Sequence, residues 1–199
     1  MTEADKKDKI GEIFRAKGQE PDPAIINRMA KIARDVYYPA GATIQDMGME
    51  QNYLYLVIEG IARSYYIDGN GNDVTKMFIR EGEFAIGESL FLPESLEVFE
   101  ALENLKGLRF EAKTFKELIC TDKAMIMTYV EMLEQTVIYK MRREYSLQNM
   151  RARERYVRFC EMYGDMEGRV SQSVIASYLG IKKESLSRIR RGLKRDHEI

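Results

Sequence analysis

No apolar run in this 199-residue chain approaches the roughly 20 residues that a membrane-crossing helix needs. The first ten residues, MTEADKKDKI, are charged and hold no apolar stretch of the secretory kind, so no membrane partner and a cytoplasmic location are expected. There are only two cysteines, Cys120 and Cys160, far apart and without a CxxC partner. That excludes a disulfide scaffold and fits reduced thiols. There is one histidine, His197, and no HExxH, P-loop or recognisable carboxylate pair. Few catalytic constellations survive those absences. The expectation is a non-enzyme with no catalytic residues, no metal ligands and no cofactor. Internal repeats and low-complexity stretches are also missing.

What is present is an uneven charge. The formal net charge is −1, yet residues 140–199 carry +7 and the remainder −8. A basic tail behind an acidic body points to a polyanion as partner of the tail alone.

The periodicity changes twice along the chain. Residues 4–17 and 23–34 read as helices, with Ile10, Ile13 and Phe14 on one face of the first and Ile26, Met29, Ile32 and Ala33 on one face of the second. Gly18, Pro21 and Pro23 punctuate them. From Asp35 to about Lys113 short segments rich in β-branched and aromatic residues alternate with turn signals at 39–41, 68–71 and 81–82. Many closely spaced short strands predict an antiparallel barrel or jelly roll. The helical period then returns over 121–148, where Ile126, Val130, Leu133, Val137 and Met141 recur at spacings of four and three. A helix of that length, roughly 42 Å, with such a stripe either covers one face of the strand domain or pairs with its copy in a homodimer, which is the preferred reading. Residues 149–163 predict a further helix with Tyr156, Phe159 and Tyr163 in its core face, widened by Val157 and Cys160.

The segment from Val170 to Lys194 carries the most information. Ser171 can cap a helix whose apolar positions are Val174, Ile175 and Leu179. Gly180 follows where a tight turn needs left-handed dihedrals, and Ile181 can plug the angle between two helices. A second helix from about Lys183 to Lys194 would bury Leu186, Ile189 and Leu193. Helix, glycine turn, helix is the layout that places a second helix in the major groove of double-stranded DNA. Its outer face carries Lys183, Glu184, Ser187, Arg188 and Arg191. Arginine can bond guanine bidentately and glutamate can accept from cytosine. Arg190, Lys194 and Arg195 are expected at phosphates, which set register and salt-sensitive affinity.

From about residue 20 to 196 the chain resembles the Crp–Fnr superfamily of transcription regulators. The blocks are YPAGATI, NYLYLVIEGIARSYYIDGNGNDV, GEFAIGES and ASYLGIKKESLSRIRR, in family order. The resemblance implies an α+β chain. An N-terminal antiparallel β jelly-roll barrel of cyclic-nucleotide-binding type forms the sensor over 1–120. A dimerisation helix over 121–148 and a C-terminal winged helix-turn-helix over 149–199 follow. It places Lys183, Glu184 and Arg188 at base-reading positions and Ser171 and Gln172 at backbone phosphates. It also leaves RNA polymerase as a candidate partner.

At the ligand pocket, taken as Gly87, Glu88, Ser89 and Ser95, the sequence departs from the family. Nucleotide-binding members follow a glycine–glutamate pair with an arginine and a small hydroxyl residue for the phosphate. Here Gly87 and Glu88 are present, but Glu94 precedes Ser95 and SLFLPESLEVFEA has no arginine. Losing one charge-assisted bond costs about 1.5–3 kcal/mol. Cyclic AMP is therefore not the expected ligand. An iron–sulfur cluster lacks N-terminal cysteines, and haem lacks a histidine other than His197. The alternative function is a ligand-gated regulator answering an unidentified small molecule in the barrel.

Overall fold

The computed structural model describes residues 1–121 and 123–197, with side chains as far as Lys194. It divides into two compact units. Met1–Ser64 with Phe78–Leu133 form the first, and Tyr65–Met77 with the chain from Glu134 onward form the second.

Two helices open the first unit. Helix α1, Glu3–Ala16, starts at a capping box in which the Asp5 amide donates to Thr2 Oγ1 at 3.2 Å and the Thr2 amide donates to Asp5 Oδ2 at 2.7 Å. Helix α2, Pro23–Ile32, starts at Asp22, whose carboxylate accepts from the Ala24 amide at 2.7 Å. Proline at its first position loses no hydrogen bond, because that amide would have no helical partner.

The strands are β1 (Arg34–Tyr38), β2 (Thr43–Gln45), β3 (Tyr53–Glu59), β4 (Ala62–Ile67), β5 (Asp73–Ile79), β6 (Phe84–Ala85), β7 (Val98–Ala101) and β8 (Leu105–Glu111). They form two four-stranded sheets, ordered β1-β8-β3-β6 and β2-β7-β4-β5. This is the jelly-roll arrangement and not a closed barrel. After β6 the chain turns at Ile86, which takes φ 61, into a short 3-10 turn over Gly87–Leu90 instead of extending the ladder.

The core of this unit joins Leu54, Leu56, Leu108 and Phe110 from the first sheet to Ile10, Phe14 and Met29 from the helices. Phe84, Phe110 and Phe115 form an aromatic cluster with centroids 5.0–6.3 Å apart. Gly107 lets β8 approach β3, since a Cβ there would lie 2.8 Å from the Leu56 carbonyl oxygen. Helix α3, Ala112–Cys120, has no counterpart in the sequence reading, which carried strand character to about Lys113. Its buried residues Phe115, Leu118 and Ile119 fall at helical spacing directly behind β8.

Helix α4 runs from Lys123 to Asn149, 27 residues, and α5, Ala152–Tyr163, follows after a break at Met150 and Arg151. Helices α6, Gln172–Leu179, and α7, Lys183–His197, complete the second unit. Its core contains Tyr156, Phe159, Tyr163, Ile175, Tyr178, Leu179 and Leu186, each less than a tenth exposed. Tyr178 is held by rings on two sides, with Phe159 at 5.8 Å and Tyr163 nearly perpendicular at 5.9 Å.

Two expectations are corrected in this unit. Val157 is exposed and Cys160 only half-buried, so the apolar face of α5 is narrower than the sequence implied. No strand occurs among the described residues after β8. The expected wing therefore forms no strands there, and between Tyr163 and Ser171 the chain makes a 3-10 turn, Gly164–Met166, and an irregular connection in which the Val170 amide bonds the Met166 carbonyl at 2.9 Å.

Candidate nucleic-acid interface and sensor site

The helix pair is built as its residues dictate. Ser171 caps α6, accepting from the Val174 amide at 3.4 Å. Gly180 ends it with φ 65, and its amide and that of Ile181 return to the Ser177 and Ala176 carbonyls at 3.0 Å. A side chain at such a φ costs roughly 1–2 kcal/mol, which is why glycine stands there. Helix α6 is further held from outside. Ser177 Oγ donates to the Asp73 carbonyl at 2.7 Å and accepts from the Thr75 amide at 2.9 Å.

On α7, Leu186 is fully buried and Ile189 and Leu193 are half-buried, which turns Lys183, Glu184, Arg188 and Arg191 outward. Arg188 Nη2 donates to Ser185 Oγ at 3.2 Å, and among the described residues no ion pair joins it to Glu184. Both charged heads therefore remain available to an incoming surface. Ser187 is half-buried and lies 3.5 Å from Gln172 Oε1, so it braces the two helices as well as facing outward. Ser171 and Gln172 are exposed at the start of α6. The expected set is thus brought to one side of the helix pair.

One basic residue departs from expectation. Arg190 turns back to Glu167 at 3.0 Å, and Glu167 also accepts from the Tyr156 hydroxyl. Burial and that bond raise the Tyr156 pKa above its ordinary value. Two residues of helix rotate Arg190 roughly 200° from Arg188, toward the Gly164–Met166 turn. In this structure its charge is paired with that of Glu167. Lys194 is exposed, while the side chains of Arg195 and His197 lie outside the described residues.

In the first unit, Gly87, Glu88 and Ser89 form the 3-10 turn, and Ser95 is buried, donating to the Glu97 carbonyl at 2.7 Å. Glu88 Oε1 and Ser89 Oγ are buried without a hydrogen-bond partner. Glu94, which stands where the family has arginine, is exposed and sits in an isolated bridge opposite Glu50. The buried cations here are committed elsewhere. Arg63 pairs with Glu100 at 2.7 Å, and Lys6 bonds the Ala33 carbonyl and Asp35 at 3.0 Å.

Gln51 is a residue that sequence reasoning missed. It is 3% exposed, and its amide donates at 3.1 Å to the carbonyls of Leu92 and Glu94. A lone glutamine before a strand carries no motif that would have revealed it.

Residues 35–122 match the cyclic nucleotide-binding domain family. A comparison with curated protein sequences finds no match. Among solved structures, FixK2 from Bradyrhizobium japonicum aligns with 20% identity and TM-score 0.76 over 83% of this chain and 86% of its own. The c-di-GMP-responsive global regulator CLP of Xanthomonas campestris aligns with 18% identity and TM-score 0.72 over 88% and 93%. The CRP/FNR-family transcriptional regulator TTHA1359 of Thermus thermophilus aligns with 22% identity and TM-score 0.66 over 82% and 87%. With the sheet order, the long α4 and the α6–Gly180–α7 pair in view, residues 35–122 are similar to the cyclic nucleotide-binding domain family, and the chain carries the fold of the Crp–Fnr transcription regulators.

Proposed function

We propose that the protein is a homodimeric, sequence-specific DNA-binding transcription regulator. Residues 1–120 act as sensor, 121–148 as dimerisation helix and 149–199 as DNA-binding domain. The carrying observation is the outward face of α7, where Lys183, Glu184, Arg188 and Arg191 stand exposed behind a rigid glycine turn. Ser171 and Gln172 serve the phosphate backbone, where hydroxyl and amide groups fix register. The apolar stripe of α4 supports the dimer, since Leu133 is 39%, Val137 55% and Met141 64% exposed in the single chain. A mobility-shift titration against the DNA upstream of the protein's own gene, followed by binding-site selection, tests the reading. A palindromic site with half-sites about one turn, roughly 34 Å, apart is expected. Binding with no sequence preference would overturn it.

Cyclic AMP is not the effector in this reading. Arg63, the buried arginine of the sensor, is already neutralised by Glu100, and the stretch SLFLPESLEVFEA around Ser95 holds no arginine. The unpartnered Glu88 Oε1 and Ser89 Oγ favour a second possibility for the sensor site of Gly87, Glu88, Ser89 and Ser95. It would accept a small effector that donates hydrogen bonds, making the regulator ligand-gated.

A further inference from the structure

A cleft of about 120 Å³ opens in the second unit between α4 and α5, walled by the last residues of α6. Helix α4 contributes Gln135, Ile138, Tyr139, Arg142, Arg143 and Ser146, and α5 contributes Arg155, Arg158, Phe159 and Met162. Four arginines line it together with no carboxylate. Among the described residues none of the four forms a salt bridge.

Their hydrogen-bond partners are neutral. Arg143 Nη2 donates to the Thr75 carbonyl at 3.2 Å and to the Tyr178 carbonyl, and its guanidinium stacks 3.8 Å from the Tyr178 ring centre. Arg155 donates to the Leu179 carbonyl at 2.9 Å and the Met150 carbonyl at 2.7 Å. Arg158 reaches only the Met150 sulfur, at 3.9 Å. Each guanidinium has five N–H donors, so every one keeps donors to spare. Carbonyl oxygens satisfy hydrogen bonds, but they leave four positive charges facing one space uncompensated. Apart from Gln135 and Ser146 the rest of the lining is apolar or aromatic, including Ile138, Tyr139, Phe159 and Met162.

We propose that this cleft binds a small aromatic oxyanion, a single ring bearing a phosphate or carboxylate group. Arginine forks match both groups bidentately, and the ring would lie against Phe159 and Tyr139. The volume agrees, since one water-sized sphere fills roughly 10–15 Å³ of such space and the cleft holds a ligand of about ten non-hydrogen atoms.

The exposed stripe on α4 does not compete for this face. At roughly 100° per residue, Gln135, Tyr139, Arg142 and Ser146 lie about half a turn round the helix from Leu133, Val137 and Met141. Arg143 and Arg155 already hold the last two carbonyls of α6, which have no partner within that helix. An anion drawing on the same two guanidiniums is therefore coupled to the placement of α6. This coupling needs nothing from the sensor unit.

The test is calorimetric titration of the full-length protein with phenyl phosphate and with benzoate, beside inorganic phosphate and benzylamine. Arg142→Ala/Arg158→Ala is the variant, because neither residue holds a backbone carbonyl in the structure and circular dichroism should be unchanged. At least one aromatic anion should bind the wild type and be weakened about tenfold or more in the double variant, with no binding of benzylamine. A Glu88→Gln protein should bind as the wild type does. Equal affinity in wild type and double variant overturns the proposal. So does inorganic phosphate binding as tightly as phenyl phosphate, or no aromatic anion binding below about 10 mM.

Discussion

Arg188 and Lys194 lie on one helix yet should fail differently when removed. Arg188 stands one turn beyond Glu184, is exposed, and its only described partner is the Ser185 hydroxyl. Arg188→Ala should cost about 1–3 kcal/mol on the preferred site and relax one base pair in each half-site. Lys194→Ala should weaken all sequences alike and lower the salt slope by at most about 1 per subunit. Parallel binding-site selections and salt titrations separate the two, and an unchanged motif for Arg188→Ala removes it from base reading. The cysteines offer a second contrast. Cys160 is half-buried and burial raises its pKa, so less of it is thiolate at a given pH, whereas Cys120 is exposed. Iodoacetamide at pH 8 should label Cys120 first in the native protein, as peptide mass mapping would report; faster labelling of Cys160 would contradict that environment.

At the scale of elements, α4 and the turn after α6 carry the sharpest expectations. Leu133 sits inside the exposed stripe of α4, so Leu133→Lys would set two like charges near one another across a symmetric seam. Sedimentation at micromolar concentration should then show monomer, and a fully dimeric variant would remove this helix as the seam. Gly180→Ala faces two penalties. Its φ of 65 strains any side chain, and the new Cβ would lie 3.3 Å from Leu147 Cδ2. A loss of roughly 1–2 kcal/mol is expected from the backbone alone, read as a lower thermal midpoint. Leu147 is exposed and can give by a few tenths of an ångström, so the backbone dominates. An unchanged midpoint would mean the turn relaxes to negative φ.

For the whole molecule, the sensor's silence toward cyclic AMP is the broadest prediction. Calorimetry should show no low-micromolar binding and DNA affinity should not respond to the nucleotide; a low-micromolar dissociation constant would mean that an unassigned basic group reaches the phosphate. The sequence by itself determined the succession of two helices, a strand region and further helices, though not α3, and with it the capped and glycine-ended α6, the outward set on α7 and the exposed stripe of α4. These rest on local periodicity and on single residues with strong backbone preferences, such as Ser171 and Gly180. Only the tertiary structure decided that the strands make two sheets, since pairing joins β1 to β8 and β2 to β7 across most of the unit. It also decided the fate of charges. Arg190 turned inward because Glu167 waits there, and Glu94 stayed exposed while Gln51 was buried. The four arginines of the cleft lie at unremarkable spacings on α4 and α5, and only the packing of one helix face on the other gathers them. Periodicity reports which face a residue occupies; what stands opposite that face is a long-range fact that no local pattern contains.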